Sequence, residues 1–259
     1  WIATLHRPFV AGDVTGRFVE RRQARADALI AVSDHVARDA MQRFPQLAGR
    51  VETIPPGINL DRFDPAIVRA DRLIKLAGEL RIPDGSHLVL CPARFDEDRG
   101  QKILVEAMKQ LGRDDVFCLL LGSVGAPTPF ERDLERAVEA AALNGRVQIG
   151  PYVDDMPAAY MLADVVVATG GARQGFSRAL VEAQAMGRPV VSEDGGGAAE
   201  AVRKLGRDDV FCLLLGSVGA PTPFERDLER AIEAASLNGR VQIGPYVDDM
   251  PAAYMLADV

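Results

Sequence analysis

The chain has 259 residues, enough for one large domain or two small ones with a substantial buried core. At 48% hydrophobic and 26% charged, with few aromatics, its composition is that of a globular α/β protein, and no apolar run approaches the roughly 18–20 residues of a membrane-spanning helix. The net charge of −7 gives no support for a nucleic-acid partner, which would call for a basic face, and none is expected.

WIATLH at the start reads as a strand, and a polar helix is expected at about 16–26. ALIAVS at 28–33 is a second strand, with Ser33 placed to cap the helix DHVARDAMQRF. RVETIPPGI then leads into a connector bearing Pro and Gly. These elements are too few to close a sheet, and the expectation is the last part of a domain whose beginning is missing. From residue 87 strand and helix alternate. HLVLCPA is a strand, GQKILVEAMKQL has apolar residues at helical spacing, and VFCLLLG is apolar throughout, as a strand covered on both faces must be. ERDLERAVEAAAL is helical, RVQIGPY a strand and MPAAYMLAD a short helix. VVVATGG is a strand, SRALVEAQAMG a helix stopped by Gly187, and RPVVSED a strand. Such alternation implies right-handed crossovers and a parallel sheet: an α/β, Rossmann-like doubly wound domain. Cys91, Cys118 and Cys212 each lie in apolar runs and read as buried free thiols, which favours a reducing, cytoplasmic setting.

Residues 111–165 recur at 205–259 with two differences in 55 positions, Val138 against Ile232 and Ala142 against Ser236. The second copy holds four Arg against nine Asp or Glu, which accounts for five of the seven net negative charges. Functional solenoids need about three or more units that have drifted apart, so two near-verbatim copies fit a recent duplication or a joining of sequences instead. The apolar VFCLLLG at 210–216 is too hydrophobic for an open edge and is expected to dock beside the strand at about 189–193. The alternative is exchange with a partner chain, giving a domain-swapped homo-oligomer.

In a doubly wound sheet, ligands bind outside the carboxyl ends of the two strands that flank the switch point. Here the loops after those strands are ARFDEDRGQ and TGGARQGFS. Arg94 and Arg99 could grip a diphosphate through paired charge-assisted hydrogen bonds; equally, they could be solvated arginines offset by Asp96, Glu97 and Asp98. That D-E-D run also fits a two-carboxylate metal pattern, too short to carry weight. Gly175, Phe176 and Ser177 open a helix whose first N–H groups form an anion site. Glu182 could accept hydrogen bonds from the two hydroxyls of a ribose, or be an ordinary helix-surface glutamate.

"ADALIAVSDHVA", "VETIPPGINLDRFDP", "ARFDEDRGQ", "DDMPAAYMLADVVV" and, most specifically, "GFSRALVEAQAMGRPVVSEDGGGAAEAV" resemble the retaining glycosyltransferases of the GT-B fold, family 4 or group 1. The resemblance covers about residues 1–203. Within that group the chain is most similar to enzymes of lipopolysaccharide or other cell-surface polysaccharide synthesis. The resemblance implies transfer of a hexosyl-type sugar from a nucleotide-diphosphate-sugar to an acceptor hydroxyl, with retention and without metal or other cofactor. It implies that Arg94 and Arg99 bind the donor diphosphate together with Gly175, Phe176 and Ser177, and that Glu182 binds the ribose. It places the catalytic pair at His6, in "TLHRPF", and Gln174.

Two site positions depart from the family pattern. Arg99 stands where the family has lysine. Gln174 stands where it has glutamate, so that position has no negative charge to offer an oxocarbenium-like transition state. The expected organisation is an incomplete N-domain tail with connector at 1–60, a donor-binding domain at 61–204 and a duplicated βαβα segment at 205–259. The expected partners are a nucleotide-sugar donor and a glycan or lipid-linked acceptor. The intact enzyme is expected in the cytoplasm, with peripheral association at the inner face of the membrane. The alternatives are a nucleotide-sugar binding module, or a non-functional fragment, without turnover. A GT-B epimerase is a weaker third reading.

Overall fold

The computed structural model of the chain describes residues 1–9, 21–170, 173–193 and 195–205, together with strands at 212–215 and 241–244. Strands β1 (Ile2–Leu5), β2 (Ala28–Ala31) and β3 (Val51–Thr53) form a three-stranded parallel sheet in sequence order. Alternation along β1 and β2 turns Ala3, Leu5, Leu29 and Ala31 inward. There they pack with Val36, Ala37 and Ala40 of helix α1 (Asp34–Arg43) and with Leu47. Ser33 caps α1 by accepting from the Val36 N–H, as its position in the sequence implies. Of the helix expected at 16–26, residues 21–23 are helical and 16–20 lie outside the described residues.

The connector runs into helix α2 (Ala70–Glu79). The main sheet then begins. Its elements in chain order are β4 (His87–Pro92), α3 (Gln101–Leu111), β5 (Val116–Ser123), α4 (Pro129–Ala140), β6 (Val147–Pro151), α5 (Met156–Leu162), β7 (Val165–Ala168), α6 (Arg178–Ala185), β8 (Val190–Glu193), α7 (Gly196–Leu205), β9 (Cys212–Leu215) and β10 (Val241–Gly244). Their spatial order is β10-β9-β8-β7-β4-β5-β6, and every pairing is parallel. Strand order reverses between β4 and β7, so a crevice opens beyond their carboxyl ends.

The strands are apolar on both faces because helices cover both. Leu88 and Leu90 of β4, with Phe117, Leu119 and Leu121 of β5, pack against α2, α5, α6 and α7. Val89, Cys91, Val116, Cys118 and Leu120 turn the other way, onto Leu104, Val105 and Met108 of α3 and Leu134 and Val138 of α4. Cys91 and Cys118 are free and buried, as their apolar setting implies. Burial pushes the Cys91 thiol up to about 12 and raises Cys118 as well, so both are unreactive thiols at neutral pH.

Two features of the architecture bear on the site. First, α1 is tied to α7. The buried Glu200 carboxylate accepts from the Asp34 N–H at 3.0 Å and the His35 N–H at 3.1 Å, satisfying two first-turn donors of α1 across the two sheets. Second, the sheet continues past β8 into the second copy. β9 pairs with β8, Val190 opposite Cys212, where the apolar run was expected to dock. The β9–β10 register, Cys212 opposite Val241, repeats the β5–β6 register, Cys118 opposite Val147.

Candidate functional site

The crevice holds a cavity of about 730 Å³. It is lined by the loops after β4 and β7, by the start of α6, by α5 and by the connector at 57–63. The loops after β4 and β7 are fastened together. Thr169 Oγ1 donates to the Arg99 carbonyl at 2.9 Å, and Arg173 Nη1 reaches Asp98 Oδ1 at 2.6 Å. Gly100, with φ of 67°, begins α3 so close to Thr169 that any Cβ there would overlap its carbonyl. Gln101 Nε2 donates to the Arg94 carbonyl at 2.8 Å and fixes the other end of the loop. The backbone that carries Arg94 and Arg99 is therefore held against the backbone that leads to Gln174.

Arg94, Arg99, Gln174, Phe176, Ser177 and Glu182 all line this cavity, brought together from two stretches far apart in sequence. Arg94 is exposed; Arg99 is half-buried, with Asp96 at 3.8 Å. The acidic run between the two arginines is taken up locally. Asp96 accepts from the Asp98 N–H, and Asp98 pairs with Arg173.

Ser177 stands immediately before α6, is 2% exposed, and makes no side-chain capping bond. Its Oγ has no hydrogen-bond partner among the described residues, and neither has Gln174 Oε1. A buried hydroxyl and a buried amide oxygen left unpaired inside a cavity are costly, and a polar ligand would satisfy both.

Glu182 lies one turn further along α6. Its Oε2 accepts from the Tyr160 hydroxyl at 2.8 Å. Burial holds the Glu182 carboxyl above the usual carboxylate range, while the Tyr160 hydroxyl, Arg178 and Arg62 pull it back. Burial and the Glu182 charge raise Tyr160, which is therefore neutral and a donor at pH 7.

Gly175 and His6 adjoin the cavity but do not line it. The Gly175 Cα abuts the His6 carbonyl, so a Cβ would overlap it, and the His6 side chain is exposed rather than part of the cavity wall. Gly197 in turn abuts the Gly175 carbonyl, and its missing Cβ would lie 2.9 Å from Ser33 Oγ. This close-packed junction, tied by Glu200, carries the α6 entry loop against β1 and α1.

Beyond the residues expected from the sequence, the cavity lining includes Arg62, Tyr160 and Arg178. Arg62 donates to the Asp154 carbonyl at 2.5 Å and lies over the Phe63 ring. The cavity thus carries four guanidinium groups around one carboxylate, a charge balance suited to an anion with a hydroxylated neighbour. Among the described residues no three His, Cys, Asp or Glu side chains gather as a metal site.

The family model described as "Glycosyl transferases group 1" matches residues 86–217, just over half of the chain, and "Glycosyltransferase Family 4" matches residues 1–62. A D-inositol 3-phosphate glycosyltransferase of Xylanimonas cellulosilytica is 33% identical over 212 residues, covering 79% of this chain and 49% of that protein. Its Salinispora arenicola counterpart is 30% identical over 253 residues, covering 94% and 55%. The chain spans about half the length of the curated relatives it matches. Among solved structures, Anabaena Alr3699/HepE in complex with UDP-glucose superimposes with a TM-score of 0.71 over 99% of this chain and 67% of that one, at 21% identity. WaaG, a glycosyltransferase involved in lipopolysaccharide biosynthesis, gives 0.63 over 95% and 64%, at 16% identity. At these identities the likeness establishes the fold, α/β and Rossmann-like as in GT-B glycosyltransferases.

Proposed function

The chain belongs to the group 1 glycosyltransferases, and on that premise we propose that its cavity binds a nucleotide-diphosphate-sugar and presents the sugar for transfer with retained configuration. The observation that carries the proposal is the unpaired Ser177 hydroxyl at the start of α6, facing a cavity that also holds Arg94, Arg99 and Glu182. The diphosphate lies at the α6 N-terminus, where the helix dipole, the Ser177 hydroxyl and the two arginines neutralise it. Glu182 accepts from the ribose hydroxyls. Gln174, with its free Oε1, hydrogen-bonds the transferred sugar. In the reaction the acceptor oxygen bonds to the anomeric carbon on the face that the diphosphate leaves. The nucleoside diphosphate departs with the bonding electron pair, and its leaving oxygen, on the same face, takes the proton from the acceptor hydroxyl. The arginines carry the growing charge on the leaving group, which is why no metal is required in this proposal. Residues 61–204 form the donor-binding domain. The acceptor is a cell-surface glycan or lipid-linked precursor, and inositol 3-phosphate is the competing candidate drawn from the names of the relatives.

One observation favours a second reading, a binding module without turnover: an amide rather than a carboxylate at Gln174. Turnover separates the two. The chain is incubated with UDP-, GDP- and ADP-sugars, with and without chelator, and with inositol 3-phosphate or a lipid-linked glycan as acceptor. Chelator-resistant release of nucleoside diphosphate with an α-linked product from an α-linked donor is expected. Tight donor binding with no release under any condition would leave the binding module.

A further inference from the structure

We propose that Tyr160 is a positioning residue for nucleotide recognition: its hydroxyl occupies one oxygen of Glu182 and leaves the other to receive the ribose. The inference rests on the donor-binding reading above and goes beyond it, because Tyr160 touches Glu182 and is argued to act through it.

The geometry carries the assignment. Tyr160 is 1% exposed, on α5, with its ring against Phe63 at 6.1 Å between centroids. A buried tyrosine needs a partner for its hydroxyl. Here that partner is Glu182 Oε2, at 2.8 Å from a residue 22 positions away in sequence. A carboxylate on a helix can rotate about its last bond and present either oxygen; a hydrogen bond from a fixed phenol removes that freedom. Both side chains line the cavity, so the oxygen that Tyr160 does not hold is the one available to a ligand.

The bond also governs ionisation. Tyr160 of α5, Arg178 of α6 and Arg62 of the connector all favour the charged carboxylate against burial, which opposes it. Ribose recognition needs an acceptor-only carboxylate. Affinity is therefore present while Glu182 is ionised and lost as pH falls through its raised value. Removing the Tyr160 hydroxyl raises that value further and moves the loss to higher pH.

The test is calorimetric titration of the whole chain with UDP, GDP and ADP, and with their 2′,3′-dideoxy forms, from pH 5 to 8. Wild type, Tyr160→Phe, Glu182→Gln and the double variant are compared, each checked for an unchanged melting transition. Tyr160→Phe keeps the buried ring. It is expected to weaken the preferred ribonucleotide about ten-fold at pH 7, to leave the dideoxy form nearly unaffected, and to shift the acid limb upward. In Glu182→Gln only the titration of the ligand's own phosphate should remain, and adding Tyr160→Phe should change nothing. Equal weakening of ribo and dideoxy forms, or an unmoved acid limb, would overturn the role of Tyr160 while leaving the site intact. If wild type binds none of the nucleotides, the donor-binding reading fails and this inference with it.

Discussion

Ser177 shows how a single side chain can announce a ligand. It occupies the position where serine normally caps a helix, yet its hydroxyl bonds to nothing described. A capping hydroxyl lost to alanine costs about 1 kcal/mol of stability. Here Ser177→Ala is expected to leave the melting temperature unchanged and to weaken nucleoside diphosphate binding about ten-fold, the scale of a hydrogen bond to a charged group. A drop in melting temperature without loss of affinity would make Ser177 a structural residue. Arg94, Arg99, Gln174 and Glu182 are legible as cavity-lining residues because a doubly wound sheet turns the loops after β4 and β7 to one crevice, and because their motifs resemble those of the family. Tyr160 is not. Its role depends on a contact between two helices, and the only sequence signal was a lone tyrosine among small and apolar residues in MPAAYMLAD. His6 was legible as a residue type near the site, but not in its placement: its main chain packs on Gly175 while its side chain is exposed.

At the scale of elements, α5 and α2 depend on one carboxylate. Asp155 caps α5 by accepting from the Ala158 N–H at 3.2 Å and takes a bidentate pair from Arg72 of α2, at 2.9 Å from Nε and 2.5 Å from Nη2. The Arg72 hydrogen bond, outweighing burial, holds the Asp155 carboxyl below the usual carboxylate range. Its contribution is therefore present above the ordinary aspartate range and lost as pH falls through the lower folded value. Both side chains are about one third exposed, so solvent screens much of the pair. Asp155→Ala is expected to destabilise by about 1–2 kcal/mol in urea unfolding at pH 7, mostly through the lost cap, with a smaller difference at pH 3. Equal stability of the two proteins at pH 7 would contradict this. The strand and helix alternation after residue 87 could be read directly, because buried parallel strands are apolar throughout and their helices carry a clear stripe. α2 is harder to read beside a Pro-rich connector, although Leu73, Leu76 and Leu80 stand on one helical face and the latter two are buried.

For the whole molecule, the repeated segment has a structural consequence: strands β9 and β10 of its second copy extend the main sheet. It enters both copies from a helix ending at an equivalent leucine, Leu111 for α3 and Leu205 for α7. β9 then takes against β8 the place that β5 takes against β4, with the same internal register. The docking was foreseeable because VFCLLLG cannot stay at an open edge. With β9 in place, β8 is an inner strand, bonded on both sides. Backbone amides of Val190–Glu193 should therefore exchange as slowly as those of Val165–Ala168. Fast exchange confined to β8 would mean that the second copy does not pair there.

The central claim is that the loops after β4 and β7 and the start of α6 form a diphosphate site with a carboxylate beside it for the ribose. Calorimetric comparison of nucleoside diphosphates with their parent nucleosides, on wild type and on Arg94→Ala and Glu182→Ala, tests this most directly. Arg94→Ala should cost the diphosphate about 1.5–3 kcal/mol of binding and the nucleoside almost nothing, as expected for a lost charge-assisted contact. Glu182→Ala should weaken both alike. Identical losses for diphosphate and nucleoside in Arg94→Ala, or no binding of any diphosphate to wild type, would contradict it.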